Sequence, residues 1–464
     1  MDADVTFGPS RRSFHFSSAC VGFAVVGSVL AAGCNSSLDR SGTGDDGSRR
    51  GSVDAEAPLT VGGTVSRVAS GPRPVDVNQP DAVVGDGSAA SCSERAARTA
   101  IARGGVIVFN CGTAAVTITL GRPLVASADE DTTIDGGDLI TLDGQNTTQI
   151  LRVESQGFRA NAHVLAVQRL TMTRGNDRGT GYRSRQGDSL CAWGYRSGGG
   201  GAIYAKDVNV RVWGSTFLDN HGPQIGPDVA GGAIYVLGAQ SVTVNNSVFR
   251  NNSASNGGAI GLLHTSAIIH NSVFEGNQAR GTMANYGGVK GCPSFNHPEQ
   301  GGSGGLGGAF YSDGFDRGDE FWNVHMVGNR SNSLGGAVFR SAYWGLRSRV
   351  AKQTIRWENS TFERNRSLHG GGGGAYVNNS LFILRNVSFD ANDGGNGDGG
   401  GLKITGVTLR ASDVSFSNNR ATVGGGVAFW GSGLEGTGSA TDVRQANNAP
   451  DNGVGLWAEV SKSR

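Results

Sequence analysis

The chain has 464 residues, a formal net charge of +1, 77 glycines and only 11 prolines. A nearly neutral chain without a basic excess is not typical of nucleic-acid-binding proteins, so we expect no nucleic-acid partner. The length suits one large folded domain with appendages, and we expect it to be a monomer.

Residues 1–34 have the features of an export signal. Arg11 and Arg12 precede an apolar run over residues 19–32, which is too short to span a membrane comfortably. The sequence around the two arginines, residues 10–14, resembles a twin-arginine signal. A general secretory signal that happens to contain two arginines is the alternative.

The end of this segment resembles a bacterial lipobox. Residues 30–34 read Leu-Ala-Ala-Gly-Cys, with Ala31 at a position where leucine is usual. The resemblance implies that Cys34 is the lipidated first residue of the mature chain, anchored in a membrane by its lipid alone. The expected location is therefore the outer membrane, the cell surface or the periplasm.

Residues 35–84 are rich in Ser, Gly, Asp and Arg and predict a flexible tether. The folded body is predicted to cover residues 85–464. Residues 95–103 predict a short helix that caps the first coil of the body, because their apolar residues share one face and Gly104 follows them. The residues of that face are Ala96, Ala97, Ala100 and Ile101.

Two short phrases alternate from Gly200 to Val427. One is a glycine pair followed by a small and an apolar residue, at Gly201-Ala202-Ile203, Gly232-Ala233-Ile234, Gly258-Ala259-Ile260, Gly308-Ala309-Phe310, Gly336-Ala337-Val338 and Gly374-Ala375-Tyr376, and with a glycine replacing alanine at Gly400-Gly401-Leu402 and Gly425-Gly426-Val427. The other is an aromatic followed three residues later by asparagine, at Phe217/Asn220, Phe249/Asn252, Phe274/Asn277, Phe362/Asn365, Phe389/Asn392 and Phe416/Asn419, with Met326/Asn329 in the same frame.

The copies recur every 25 to 50 residues, which is typical of a solenoid. Short β-branched runs such as residues 242–244 lie between the phrases. Strands this short must pair with the same strand of the next repeat, so the pattern predicts an all-β parallel β-helix with like residues stacked about 4.8 Å apart. We expect an aromatic column in the core, a hydrogen-bonded asparagine column, and glycines with positive φ at a corner.

These phrases resemble the repeats of the chlamydial polymorphic outer-membrane proteins, over roughly residues 200–430. The resemblance implies a right-handed, single-stranded parallel β-helix at the cell exterior, and adhesion as a role. Members of that family also carry a C-terminal membrane β-barrel. We expect none here, because the chain ends soon after the last repeat, and autotransport is therefore not implied.

One face of the predicted solenoid carries unusual side chains. Positions five and seven before each aromatic are apolar except for Asp319, so positions four and six should face solvent. Outward tryptophans can stack on sugar rings and arginines can pair with carboxylate or sulfate, so we predict a glycan-binding face. Its residues are Arg211, Trp213, His270, Trp322, Arg356 and Arg385. The alternative is that the insertions cover this face and bury the tryptophans.

Two insertions, residues 175–199 and 278–307, leave the coil at the same corner, and a third spans residues 340–356. The first two carry groups that could neutralise a uronic-acid carboxylate and remove the proton at C5. The candidates for those catalytic roles are Arg183, Tyr286, Lys290 and His297, with Trp193 and Tyr195 as further glycan contacts. A polysaccharide lyase that acts by β-elimination is therefore the alternative function.

The cysteines predict two disulfides in an exported protein. Cys92 and Cys111 should join the cap helix to the first coil. Cys191 and Cys292 lie in insertions whose roots are three coils apart, about 14 Å along the axis. We predict a bridge between them that clamps the two insertions around a single cleft.

No spacing of Cys and His suggests zinc, and we expect no cofactor. One turn is rich in acidic and amide side chains that could bind calcium, but their spacing favours a plain turn. These residues are Asp390, Asn392, Asp393, Asn396 and Asp398. The sequence thus predicts a lipid-anchored, exported β-helix that binds an extended, acidic polysaccharide or acts as a surface adhesin.

Overall fold

The computed structural model describes residues 71–177, 182–183, 190–191, 198–224, 228–281, 304–314, 317–342, 353–431 and 437–455. The described chain is a parallel β-helix, because strands of successive coils pair in parallel along the whole stack. The fold expected from the repeats is confirmed. None of the helices in these ranges has the length and apolar character that a membrane span requires.

Three sheets run along the stack. Sheet A contains, in stacking order, Ala82–Val84, Gly105–Phe109, Thr132–Asp143, Val164–Thr173, Asn209–Trp213, Ser241–Asn245, Ser266–Glu275, Asp319–Val327, Thr354–Glu363, Leu381–Asp390, Thr408–Ser417 and Thr437–Ala446, with Val116–Thr119, Thr216–Leu218 and Val248–Arg250 beside this path. Sheet B contains Leu124–Val125, Leu151–Glu154, Ile203–Lys206, Ile234–Leu237, Ile260–Leu263, Phe310–Asp313, Val338–Arg340, Ala375–Asn378, Leu402–Thr405, Val427–Trp430 and Gly453–Gly455. Sheet C is formed by Ser253–Ala254, Gln278–Ala279, Arg330–Ser331 and Arg366–Ser367.

The predicted asparagine column is a continuous hydrogen-bonded ladder. At each step the backbone N–H and the side-chain Nδ2 of one asparagine donate to Oδ1 of the next, at 2.9–3.0 Å. Nδ2 also donates to the carbonyl oxygen of the preceding coil, as Asn252 does to Phe217. The ladder runs through Asn220, Asn252, Asn277, Asn329, Asn365, Asn392, Asn419 and Asn448. Asn448 was not predicted, because Gln445 stands where the repeat has an aromatic.

The predicted aromatic column is also confirmed. The rings of Phe217, Phe249 and Phe274 stack with centroids 4.7 Å apart, and all three are fully buried. A second run from Phe362 to Phe416 has spacings of 4.8 and 5.0 Å. Spacings of this size match the distance between coils, so each ring packs on its counterpart one turn away.

The two glycines of each pair serve different purposes. The positive φ of the corner belongs to the glycine that comes first, as at Gly231, where φ is 72°. At Gly232 a Cβ atom would lie 2.1 Å from the carbonyl oxygen of Gly258, so the next coil leaves no room for a side chain. In the copy at Gly374-Ala375-Tyr376 the predicted alignment of the phrase is wrong by one residue. Ala375 pairs with Val338, so it occupies the position that is apolar in the other copies.

The N-terminal cap forms as expected. The helix spans Glu94–Ile101, and the Ser93 side chain caps it by accepting a hydrogen bond from the backbone N–H of Ala96. Ala97, Ala100 and Ile101 are buried, whereas Ala96 is only partly buried. The predicted bridge between Cys92 and Cys111 is present, with Cα atoms 5.7 Å apart.

The folded body begins earlier than residue 85. Ala82–Val84 is the first strand of sheet A and pairs with Ile107–Phe109. Residues 71–81 precede it, and we call this segment the strap. The prediction of a tether up to residue 84 was therefore wrong for its last part, and residues 1–70, including Cys34, lie outside the described residues.

The ladder predicts a large stability effect for Asn365→Ala. This change removes Oδ1, which accepts hydrogen bonds from the backbone N–H and Nδ2 of Asn329. It also removes Nδ2, which donates to the carbonyl oxygen of Met326, and these groups are buried. We expect a loss of about 3 kcal/mol in the free energy of unfolding, measured by urea denaturation. The control Asn386→Gly removes an exposed amide contact at a positive φ and should cost less than about 1 kcal/mol. Equal losses in the two variants would contradict this role of the ladder.

The disulfide gives a second prediction. It closes a loop between residues 19 positions apart, so replacing both cysteines by alanine should lower the free energy of unfolding by about 3 kcal/mol. Wild-type protein treated with a reductant should match the variant in the same denaturation experiment. Peptide mapping without reduction should recover the two peptides joined; two free thiols would refute the bridge.

Candidate functional site

The outward positions of sheet A form two adjacent columns, as the sequence predicted. Column 1 contains Gln168, Trp213, Asn245, His270, Trp322, Glu358, Arg385 and Ser412, which pair in register from coil to coil. Column 2 contains Arg211, Thr243, Ile268, Glu320, Arg356, Ile383 and Arg410. The structure therefore brings the six predicted glycan-binding residues of the coil onto one continuous face.

The strap covers the first half of column 1. Gln168 holds the main chain of Val75 with two hydrogen bonds, accepting one from its N–H at 2.8 Å and donating one to its carbonyl oxygen at 3.0 Å. Asn245 donates to the carbonyl oxygen of Pro72 at 3.0 Å. Gly71 lies so close to His270 that a Cβ atom there would come within 2.9 Å of Nδ1.

These contacts partly contradict the prediction of an open face. His270 is buried, with only 7% of its side chain exposed, and it pairs with Glu320 at 2.9 Å. The alternative prediction was that the insertions cover this face. Among the described residues the cover comes from the strap, which was predicted to be part of the tether.

The second half of the face carries exposed cations around one carboxylate. Glu358 lies 3.3 Å from Arg356 and 3.4 Å from Arg385. Its side chain is 13% exposed, whereas those of the two arginines are 41% and 56% exposed. The carboxylate therefore holds both guanidinium groups in place while their outer edges stay open to solvent. Arg410 follows in column 2, is exposed, and has no ion-pair partner among the described residues.

Trp213 and Trp322 are both partly exposed, and they differ in their neighbours. Trp213 lies between Gln168 and Asn245, the two residues that bind the strap. Trp322 lies between His270 and Glu358, at the start of the half that the strap does not reach. Trp322 is therefore the tryptophan placed beside the exposed arginines.

The first two insertions fall mostly outside the described residues. The backbone of Tyr182–Arg183 pairs with Leu190–Cys191 in a small antiparallel hairpin. The remaining candidates in these insertions, outside the described residues, are Trp193, Tyr195, Tyr286, Lys290, Cys292 and His297. The bridge between Cys191 and Cys292, the shared cleft and the lyase activity stay predictions.

The third insertion is shorter than predicted. Arg340 belongs to the strand Val338–Arg340 and Arg356 to Thr354–Glu363, so both ends lie in sheets. Arg340 is fully buried, where it contacts Asp319 at 3.1 Å and donates to Gln353 at 2.8 Å. Asp319 also pairs with the buried Arg317 at 3.4 Å. The one charged residue at a predicted inward position thus neutralises two buried arginines.

Burial lowers the pKa of two basic side chains at this corner, Arg340 and His264. Desolvation lowers the pKa of Arg340 to about 9, with the neighbouring Arg317 acting in the same direction. His264 is buried on an adjacent coil, with φ of 55° and its ring edge against Phe158 at 5.4 Å. Burial, and then Arg317, lower the pKa of His264 to about 4.

An aromatic column on the outer side of sheet B was not predicted from the sequence. Tyr204 stacks on Tyr235 at 5.9 Å, and Phe339 stacks on Tyr311 at 5.5 Å and on Tyr376 at 5.2 Å. This cluster is a second apolar core outside the coil, and it also contains Ala230, Leu237, Leu263, Leu306 and Leu334. The signal was available, because an aromatic often follows the apolar residue of the glycine phrase.

Several side chains of the acidic turn have partners within the protein. Asn392 belongs to the buried ladder, and Asp393 pairs with Arg366 and Arg420. Asp398 pairs with Lys403. Within the described ranges these carboxylates face cations, and no group of three or more His, Cys, Asp or Glu side chains converges there.

These features define a parallel β-helix protein with a long polar face. The family model of the Chlamydia polymorphic membrane protein repeat matches residues 413–429, which confirms the resemblance drawn from the repeats. No curated protein matches the chain.

Solved structures with a similar fold include PfbA, a surface adhesin of Streptococcus pneumoniae. It is 12% identical, with a TM-score of 0.34, over 77% of this chain and 88% of that one. A second PfbA structure gives 10% identity and a TM-score of 0.31, over 77% and 94%. The A-module of the Azotobacter vinelandii mannuronan C-5 epimerase AlgE4 is 12% identical, with a TM-score of 0.25, over 79% and 96%. At this level the likeness concerns the fold alone.

His264 predicts a loss of stability in acid. Between pH 6.5 and about 4 the unfolded chain binds a proton on this residue that the folded chain does not, so stability falls as the pH falls. His264→Asn keeps a residue that tolerates positive φ and removes the titration. We expect the drop in unfolding free energy between pH 7 and pH 5 to be smaller in the variant, on the order of 1–2 kcal/mol. Denaturation curves at the two pH values that shift equally in both proteins would refute this.

Proposed function

We propose that the protein is an exported β-helix that binds an extended acidic polysaccharide along the second half of columns 1 and 2. The proposed contacts are Trp322, Arg356, Arg385 and Arg410. Trp322 would stack on a sugar ring, and the arginines would pair with its acidic groups.

The position of the strap is the observation that carries this proposal. An extended chain already lies along the first half of the same face, held by Gln168 and Asn245. The face therefore has the width and the polar side chains needed to hold an extended polymer. Because the columns continue in register past His270, a polymer would follow the same track.

The charge of the half that the strap does not cover indicates an acidic partner. This half contains three arginines and one paired glutamate. Glu358 pairs with both Arg356 and Arg385, and Arg410 follows in column 2. Glu320 is engaged with His270 at the border. Guanidinium groups that are held in place lose less entropy when they bind carboxylates, which favours an acidic polysaccharide over a neutral one.

Two features support an exported location. The bridge between Cys92 and Cys111 suits an oxidising compartment, and residues 413–429 match the model of a polymorphic membrane protein repeat. A lipid anchor at Cys34 would then tie the β-helix to a membrane and leave its face accessible.

The binding prediction is tested with the folded protein on immobilised acidic and neutral polysaccharides. We expect binding to at least one acidic polymer, and about a tenfold loss of affinity, ~1.4 kcal/mol, for Trp322→Ala and for Arg385→Gln. Arg250→Gln is the matched control, because Arg250 is an equally exposed arginine paired with Glu275 and lies off the two columns.

The control variant should bind as the wild type does. Arg385→Gln keeps the proposal testable if Trp322→Ala folds poorly. The proposal fails if no acidic polymer binds, or if the two column variants and the control bind with the same affinity.

A further inference from the structure

A second row of side chains runs along the edge that follows the asparagine ladder. The residue after each ladder asparagine occupies the same position on every coil, and these residues pair in one continuous register. They are His221, Ser253, Gln278, Arg330, Arg366, Asp393, Arg420 and Ala449.

The register brings like charges together. Arg330 and Arg366 pair directly on adjacent coils, about 4.8 Å apart along the axis. Such neighbours repel each other in a sheet, so folding alone does not favour them. Arg330 is exposed and has no ion-pair partner among the described residues.

One carboxylate in the row, that of Asp393, pairs with two of its arginines. Asp393 lies 3.1 Å from Arg366 and 2.8 Å from Arg420, and it is 14% exposed, whereas the arginines are 49% and 65% exposed. Arg280, two residues after Gln278 on the coil before Arg330, adds a further exposed cation at this edge. The whole chain has a formal net charge of only +1, so this edge concentrates positive charge.

The support beneath the row is rigid. Each of these arginines is within two residues of a buried ladder asparagine or of a strand of sheet C. Arg330, Arg366 and Arg420 therefore stand on a straight line parallel to the axis, at multiples of about 4.8 Å, and Arg280 lies beside that line, two residues beyond the row position of Gln278. A line of fixed cations is complementary to a linear chain with regularly spaced anionic groups.

We propose that Arg280, Arg330, Arg366 and Arg420, which we call the arginine row, bind a linear acidic glycan through its sulfate or carboxylate groups. Guanidinium forks bind such groups in a bidentate manner. The row contains no Trp, Tyr or Phe on which nucleic-acid bases could stack, which favours a glycan over single-stranded nucleic acid. It follows the ladder corner and is separate from columns 1 and 2.

The test uses the folded full chain and heparin, a linear sulfated glycan, as the probe. We expect Arg330→Glu to weaken heparin binding at least tenfold. The variant should fold, because it places a carboxylate beside Arg366, and its thermal midpoint should not fall. Arg420→Ala should weaken binding in the same direction.

Arg364→Glu is the matched control. This substitution changes the charge by the same amount as Arg330→Glu. Arg364 lies on the same coil as Arg366, but it precedes the ladder residue Asn365 and pairs with Glu363. It should bind heparin as the wild type does. The row is refuted if heparin does not bind, if Arg364→Glu weakens binding as much as Arg330→Glu, or if oligo-dT binds as tightly and with the same arginine dependence.

The column variants Trp322→Ala and Arg385→Gln separate this site from the proposed function. If they reduce heparin binding and Arg330→Glu does not, the arginine row is refuted and the face of columns 1 and 2 is supported. If Arg330→Glu alone reduces it, the row is supported and the columns are not the heparin site.

Discussion

The buried asparagine ladder is the interaction on which the rest of the structure depends. Each interior side chain donates both Nδ2 hydrogens and accepts two hydrogen bonds at Oδ1, as Asn277 does with Asn252, Asn329 and Phe249. Buried amides are satisfied in this way only if every coil brings an asparagine to the same point. The ladder therefore fixes the register of each coil relative to the next, and the aromatic stack follows from it.

A fixed register turns sequence positions into straight rows on the surface. Outward residues that share a position in the repeat stand about 4.8 Å apart along the axis, whatever the length of the insertions between them. Columns 1 and 2 and the arginine row are such rows. The carboxylates of Glu358 and Asp393 each hold two arginines, so the positive groups are ordered before a ligand arrives. A solenoid is therefore well suited to binding a linear polymer.

The repeat pattern was enough to predict the fold, the ladder, the aromatic column and the order of side chains along columns 1 and 2. These features are local, because each depends on a position within one repeat. The cap helix and the bridge between Cys92 and Cys111 were also predicted, since they lie close together in the sequence.

What lies over the coil could not be predicted in the same way. The strap binds Gln168 and Asn245 across 93 and 173 residues of sequence, and nothing in its composition marks the face that it covers. Arg340 was predicted to lie in a loop, whereas it belongs to a strand and contacts the buried Asp319. That partner is 21 residues away in the sequence, so the repeat pattern did not indicate the contact. Contacts of this kind depend on tertiary packing rather than on the repeat.

A structure of the protein bound to an acidic oligosaccharide is the decisive test of binding along columns 1 and 2. We expect an extended sugar chain parallel to the solenoid axis, with a ring on Trp322 and acidic groups within hydrogen-bond distance of Arg356 or Arg385. An oligosaccharide that lies across the axis, or that contacts only residues away from columns 1 and 2, would contradict it.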